Sequence, residues 1–507
     1  MLSVVATWAI YVVYMGILIG FGIFVWWKEK NESARHFYTA GNTINWFVLC
    51  MTYIAALMST WVFFSGPGGY YRGGFGYFMS ELSYMPLFPV ITYFVMNKVW
   101  LLNTQRNYST PADLYADRFR SPVLRAFLAI VFFSVSLPYA SAIYIACGKA
   151  AEIASGGAIT QSSAVIFVGL TALLFIPFGG VKSIAWAATV QAWVFMVALW
   201  TIGLSALYFG FSGDILHSIS VVWQNNNNWF SYPGPSKWVP YSARFGYPIA
   251  CAIGWTIMLP DVFIRAGYFG KNLEAQRKLM LFQPFLQIIV WSATMVIGFA
   301  AIALVPGLKG GDTELVIPLL IEKIISPEAM QFAAVLMFLF VLGTLAKGLS
   351  AATSHLLVAG SIISEDILTQ ILHLKVNPKV HILIARLAVV CLGLASLGLA
   401  LNPPELIWTL IMFAIALVMP LFPVLVAALY WRRATTPAAL ISSVVGVIGV
   451  LLTYQYGMGD SWYGVFGMAA STVLMVVISY MTRKTDEKVL DEFYGALDKA
   501  EAKYFAE

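Results

Sequence analysis

One lysine stands in the middle of a long apolar run. The run from Met330 to Ser364 holds roughly 35 residues, more than the ~20 that span a bilayer, and Lys347 is its only charged side chain. A lysine at mid-span costs about 3 kcal/mol on insertion scales. Snorkelling does not relieve that cost, because some 17 residues, roughly 25 Å of helix, separate Lys347 from either end. Helical periodicity lines up Gly343, Lys347, Ser350, Ser354 and Ser361 along one face, where small and hydroxylic side chains admit another helix or a solute. Ionisable groups at membrane depth mark ion or substrate pathways, so Lys347 is a functional candidate.

The elements that must position it are membrane helices. Of 507 residues, 60% are hydrophobic and 11% charged, against about 25% charged in soluble domains. Mean hydropathy is +0.79. The net charge of +6 is spread over short loops, which excludes a nucleic-acid surface. Cys50, Cys147, Cys251 and Cys391 lie in apolar runs without metal-ligand or redox spacing. The first apolar run reads as a retained span rather than a signal peptide.

Hydropathy predicts about 13 spans, near 6–27, 44–67, 76–97, 122–147, 161–178, 184–211, 246–264, 280–304, 329–364, 381–401, 405–430, 437–455 and 463–481. With the N-terminus outside, the outer loops hold only Arg72, Lys149, Lys237, Arg244, Lys309 and Lys323. The inner loops and tail then hold the other loop cations, among them Arg118, Arg120, Arg277, Lys278, Arg432 and Arg433. The positive-inside rule therefore gives N-out, C-in in a plasma (inner) membrane. Segment 212–245, with Asn225 to Asn228 and Pro233-Gly234-Pro235, reads as an ordered outer cap. The inner stretch 98–121 reads as a basic loop, Gly73-Gly74 and Gly179-Gly180 as loop glycines, and the tail after Arg483 as a solvated, incidental surface helix.

Two spans look broken. Ser65-Gly66-Pro67-Gly68-Gly69 interrupts the second, and Gly246, Pro248, Gly254 and Pro260 the seventh. Glycine and proline free backbone groups that, at membrane depth, must face protein or a wet cavity. The breaks occupy matching places in two successive five-span blocks, and an odd block length inverts the second. That is the pattern of a secondary transporter with inverted repeats and a midplane site.

Beyond this pattern, the residues resemble the sodium/solute symporter family, which includes proline, pantothenate, sugar and monocarboxylate symporters. The resemblance covers most of the chain. It runs through Phe37-Tyr38-Thr39-Ala40-Gly41-Asn42, Met58-Ser59-Thr60-Trp61, Gly66-Pro67-Gly68 and Thr110-Pro111-Ala112-Asp113 with Asp117-Arg118-Phe119. It continues with Gly179-Gly180-Val181-Lys182, Trp186, Gln191, Pro260, Arg265 and Ser364-Glu365-Asp366. It implies an all-α polytopic membrane protein with a LeuT-type core of two inverted five-helix repeats, one N-terminal helix and two C-terminal helices. The expected divisions are 1–43 for the N-terminal helix and inner loop, 44–211 for the first repeat and 212–245 for the outer loop. The second repeat follows at 246–430, the two C-terminal helices at 431–482 and a charged cytoplasmic tail at 483–507.

The resemblance implies a principal sodium site built from carbonyls near Ala55 and Met58 and from positions 347, 350 and 351. Here Ser350 keeps its hydroxyl, Ala351 lacks one, and Lys347 replaces a small residue. The family's carboxylate positions are neutral as well, at Leu57 and Ala188. An ammonium would meet the carbonyls that otherwise bind sodium and would repel the ion. These changes argue against sodium, and no metal is expected. Lys347 then serves as a permanent surrogate cation, or releases its proton in one conformation and couples transport to protons, which is physically open because burial can depress a lysine pKa to about 5–6. The residues alone leave both open, and the resemblance to LeuT-fold transporters with a lysine at this place favours the second.

By the same resemblance, solute lies between the broken spans and the fourth span, at Trp61, Ser65, Tyr139, Tyr144, Trp255, Thr256, Pro260 and Asp261. Aromatics around a few polar groups suit a small amphipathic solute. Asp261 either binds an amine or pairs with Lys347, or forms a surface ion pair with Arg265 at the inner end of its span. Glu81 reads as structural, and His355 and His381 as isolated. There is no nucleotide loop, zinc spacing or nucleophile constellation, so no cofactor and no enzyme activity are expected. The expected partners are a small organic solute (carboxylate, amino acid or similar), the lipid bilayer, and a proton rather than sodium; nucleic acid is excluded. The other readings are a sodium-coupled symporter with an altered ion site, a transporter-like membrane sensor, and, more weakly, a channel.

Overall fold

The computed structural model describes residues 1–28, 43–225, 227–231, 246, 248–324, 330–374, 377–402, 407–457 and 462–505. The motif Phe37 to Asn42 and Pro233-Gly234-Pro235 lie outside the described residues. Those described are helical throughout, apart from loops and one isolated bridge between Ile44 and Gly270. Helix is what an apolar chain must adopt in a bilayer, because no water is present to satisfy its amide groups.

Ten helices are long and apolar enough to cross a membrane, one bent pair adds an eleventh span, and two shorter apolar helices remain. The expected count of thirteen is not confirmed on length and composition. Among the described residues, the two shorter apolar helices, Trp46–Leu57 and Gln161–Leu174, fall in the second and fifth expected spans.

The chain begins with α1 (Val4–Lys28) and α2 (Trp46–Leu57), then a 3-10 turn at Thr60–Phe63 and α3 (Ser65–Tyr84). Residues 87–96 lead into α4 (Asn97–Arg106), α5 (Pro111–Phe119) and α6 (Pro122–Ala154). The stretch 98–121, expected as a loop, is therefore two helices, and α5 is closed at its start by a capping box between Thr110 and Asp113. Next comes α7 (Gln161–Phe211), one helical segment that runs through Gly179-Gly180, so that pair is not a loop. Gly73-Gly74 likewise lies inside α3, at a kink.

After α8 (Ile215–Asn225), a π-helical stretch at Ala250–Met258 meets α9 (Pro260–Tyr268) at an angle of 67°. Then follow α10 (Leu273–Leu304), α11 (Val316–Lys323), α12 (Met330–Ser361) with a π-helical end at Ile362–Ile371, and α13 (Pro378–Leu401). The chain closes with α14 (Ile407–Val418), α15 (Phe422–Tyr430), α16 (Thr436–Gln455), α17 (Tyr463–Met481) and α18 (Glu487–Phe505). Helix α12 is the hub, lying against α2, α6, α7, α9 and α13.

The described part of the outer cap rests on α3. Trp229 donates its indole N–H to the Tyr71 carbonyl at 2.8 Å, and its own backbone covers Gly74. Gly74 has φ +53°, and a Cβ there would come within 2.4 Å of the Trp229 carbonyl oxygen. Gly74→Ala is therefore expected to lower unfolding stability by about 1–3 kcal/mol, read as a depressed thermal midpoint in detergent. An unchanged midpoint would mean that the cap does not brace this kink.

Two family motifs far apart in sequence converge at the end of α12. The Thr110 hydroxyl donates to Asp366 at 3.0 Å, and Arg125 bonds both Asp366, at 2.8 Å, and Asp113. The tail is not incidental either. Helix α18 buries Leu490, Phe493, Leu497 and Ala500 and pairs Glu501 with Lys98 at 2.8 Å.

Candidate functional site

The second span breaks because Met58 leaves the helical region, at φ −70° and ψ 135°, and Ser59 starts a new turn by accepting the Trp61 amide. A helix end leaves carbonyls without intrahelical partners, and those of α2 lie deep in the protein. Three side chains from other helices satisfy them. Trp255 donates to the Leu57 carbonyl at 2.7 Å, Ser350 to the Ala55 carbonyl at 3.0 Å, and the Lys347 ammonium to the same Ala55 oxygen. Lys347 is fully buried, and its Nζ lies 5.3 Å from the centre of the Phe195 ring. The negative end of the α2 dipole favours a cation at this place. Lys347 thus occupies the C-terminal end of a broken helix and does not point into lipid.

Ala55, Met58, Lys347, Ser350 and Ala351 are all buried. Sodium needs several hard oxygens, whereas here an ammonium holds the Ala55 carbonyl and Ala351 offers only a methyl group.

One turn nearer the start of α2 lies a second charged cluster. Asp261 is fully buried, with Arg265 Nη1 at 3.7 Å from Oδ2 and His355 Nε2 at 3.3 Å from Oδ1. It is neither a surface ion pair nor, among the described residues, an ion-pair partner of Lys347. Arg265 ties three helices together, donating to Thr52 on α2 at 3.2 Å, to the Asp261 carbonyl on α9 at 2.9 Å and to Ser354 on α12 at 2.6 Å. The His355 ring lies against Tyr139, with centroids 4.0 Å apart. His355 is therefore not isolated. The available signal was a second titratable side chain in the apolar run that carries Lys347.

The expected solute residues divide into two groups. Trp61 and Trp255 face each other with ring centres 6.0 Å apart, at the two helix breaks. Tyr139 and Tyr144 are buried, and among the described residues the Tyr144 hydroxyl has no hydrogen-bond partner, so it could serve a solute. Pro260 opens α9 beside Asp261. The Thr256 hydroxyl bonds instead to Ala252 of its own helix, and Ser65 turns away to donate to Glu314 at 3.1 Å. Glu314, which sequence patterning did not single out, also pairs with Lys149 at 3.0 Å and links α3 to α6.

A family model described as the sodium:solute symporter family matches residues 37–446. The chain belongs to this family. It is 23% identical to a sodium/pantothenate symporter of Haemophilus influenzae over 456 residues, 88% of this chain and 90% of that protein. With a sodium/proline symporter of Staphylococcus aureus the identity is 22%, over 95% and 94% of the two chains. Among solved structures, a Na+-coupled sialic acid symporter superposes with a TM-score of 0.78, at 17% identity over 95% of this chain and 98% of that one. A nucleobase-cation-symport-1 family transporter gives a TM-score of 0.52, at 14% identity over 89% and 96%. The fold is therefore LeuT-like, and the protein is a multi-pass secondary transporter and not an enzyme. Membership implies a small-molecule solute moved together with an ion.

Proposed function

We propose that this symporter family member moves a small organic solute bearing a carboxylate by alternating access, with the Lys347 ammonium in place of sodium. The observation that carries this reading is the bond from Lys347 to the Ala55 carbonyl, at the break where relatives of this fold are expected to hold their ion. Transport is then sodium-independent, and the proton carried by Lys347 is the coupling ion. Solute charge follows from the buried balance: among the described residues at the two breaks, Lys347 and Arg265 outnumber the Asp261 carboxylate that pairs with Arg265, so an anionic solute would offset the excess positive charge. Trp61, Tyr139, Tyr144 and Trp255 would enclose its apolar part.

On this reading residues 44–211 and 246–430 form the two inverted repeats, and 431–482 adds two flanking helices. The N-terminus is outside, and most of the loop cations face the cytoplasm.

The test is uptake by proteoliposomes of a panel of monocarboxylates, amino acids and pantothenate under separately imposed sodium and proton gradients. A proton gradient should drive accumulation of at least one carboxylate, and a sodium gradient of none. Accumulation driven by sodium alone would overturn the proposal.

A further inference from the structure

We propose that the apolar cavity beneath the outer cap is a binding site for one acyl chain of a membrane lipid, drawn from the leaflet on the cap's side. The cavity measures about 310 Å³ and lies between α3, α7, α8, α10 and the 3-10 turn Asn227–Phe230. Its walls include Phe75 and Phe78 of α3, Val296, Phe299 and Ala300 of α10, and Phe230 of the cap. Of the lining side chains only Ser218 carries a hydroxyl and none is charged. Water needs about two to four polar partners, so it gains no hold there, and a single hydroxyl is too little for a carboxylate solute.

The cavity sits at hydrocarbon depth. Leu207 on α7 and Ala300 on α10 line it, and each lies four residues, ~6 Å, inside the end of a spanning helix. Its rim faces lipid. Ile219 lines the cavity and is 43% exposed, while Met79 beside Phe78, and Leu204 and Tyr208 beside Leu207, are exposed on spanning helices. Helix α8 carries this lipid-facing surface past the end of α7. At about 100° per residue, Leu216, Ile219 and Trp223 fall within roughly 60° of one another, and all three are exposed. Ser218 and Val222 form a buried face, and His217 and Gln224 an exposed polar one. Three such faces belong to a helix lying in the interface, with one side against protein, one in the acyl boundary and one in water. Tryptophan is enriched at that level, where Trp223 stands. The walls of a void lose contacts that a filling chain restores. That gain is packing rather than hydrophobic transfer, because the chain leaves one apolar medium for another. The occupant also braces the kink in α3. The Phe230 ring lies 5.4 Å from Phe299 and 5.7 Å from Trp223, and the preceding residue, Trp229, covers Gly74 with its backbone.

The test uses the full chain in lipid nanodiscs doped with a phosphatidylethanolamine that carries a photoreactive diazirine near the end of one acyl chain. Irradiation, digestion and mass spectrometry locate the adducts. Surrounding lipid labels exposed positions such as Met79 and Leu216 in any case. The unaltered protein should in addition carry adducts on the buried walls, at Leu207 and Ala300. Ala300→Phe fills the cavity, and Ile219→Asp sets a charge at its exposed rim, outside the core. Each should abolish the adducts at Leu207 and leave those at Met79 unchanged. Adducts confined to exposed positions in the unaltered protein, or Leu207 adducts that persist in either folded variant, would overturn the proposal. A second copy of the chain seated on this face would exclude the lipid and give the first of those results. The outcome does not depend on which ion drives transport, so this site and the Lys347 reading fail separately.

Discussion

Replacing Lys347 with glutamine or alanine is expected to reduce proton-driven accumulation of solute to the level of passive equilibration. Coupling free energies between an ion and a solute are about 1–3 kcal/mol, or roughly 5–150-fold in affinity, and all of it is lost with the charged group. The effect is local in origin. Lys347 satisfies a carbonyl at the end of α2, together with Ser350, so the neutral variants leave the Ala55 oxygen with Ser350 as its remaining side-chain partner. Exchange of solute across an otherwise balanced membrane should persist at lower affinity, because the aromatic enclosure at Trp61 and Trp255 is untouched while one of the two buried cations that balance the carboxylate is gone. A second variant makes the argument sharper. Lys347→Ala combined with Ala351→Ser frees the Ala55 carbonyl and adds a hydroxyl beside Ser350, which is the kind of hard-oxygen set that sodium takes. That double variant should gain sodium-dependent uptake. If Lys347→Gln accumulates solute with the wild-type pH dependence, the lysine has no coupling role.

Lys347 was legible from the sequence because a charge in a long apolar run has few structural explanations. The second span does break, but at Met58 to Phe64; Ser65-Gly66-Pro67-Gly68-Gly69, expected to be the interruption, forms the start of α3. Asp261 was visible as an acid beside Pro260, but its partners were not. Arg265 is bonded to Ser354 across a sequence separation of 89 residues, and no periodicity reports such a contact. His355 looked like any core histidine, because hydropathy does not distinguish one that faces carbon from one that faces a carboxylate. Gly179-Gly180 suggested a loop on propensity, yet the segment is helical, as a bilayer favours for any backbone it surrounds. The docking of α18 had a signal that its charge concealed: Leu490, Phe493, Leu497 and Ala500 recur at helical spacing among Lys, Glu and Asp. Charge density indicated solvent, whereas periodicity indicated a buried face, and periodicity was the better guide.

Asp261→Ala is expected to be among the most destabilising single changes in the protein, at about 3–5 kcal/mol, because it leaves Arg265 buried without its countercharge. Arg265→Leu should cost a comparable amount, since it strands Asp261 with His355 and also removes the links to Thr52 and Ser354. The double variant should cost less than the sum by about 0.5–3 kcal/mol, because no charge of the pair is then left unmatched. A double-mutant cycle on thermal unfolding in detergent measures that difference. Both single variants should also lose transport, since the pair joins α9 to α2 and α12 at the two broken spans, where alternating access requires those helices to move relative to each other. Strict additivity in the cycle would mean that Arg265 is held by Thr52 and Ser354 alone and that Asp261 is compensated elsewhere. Asp261→Asn separates shape from charge: it keeps the side chain's volume beside Pro260, so any loss it shares with Asp261→Ala is electrostatic.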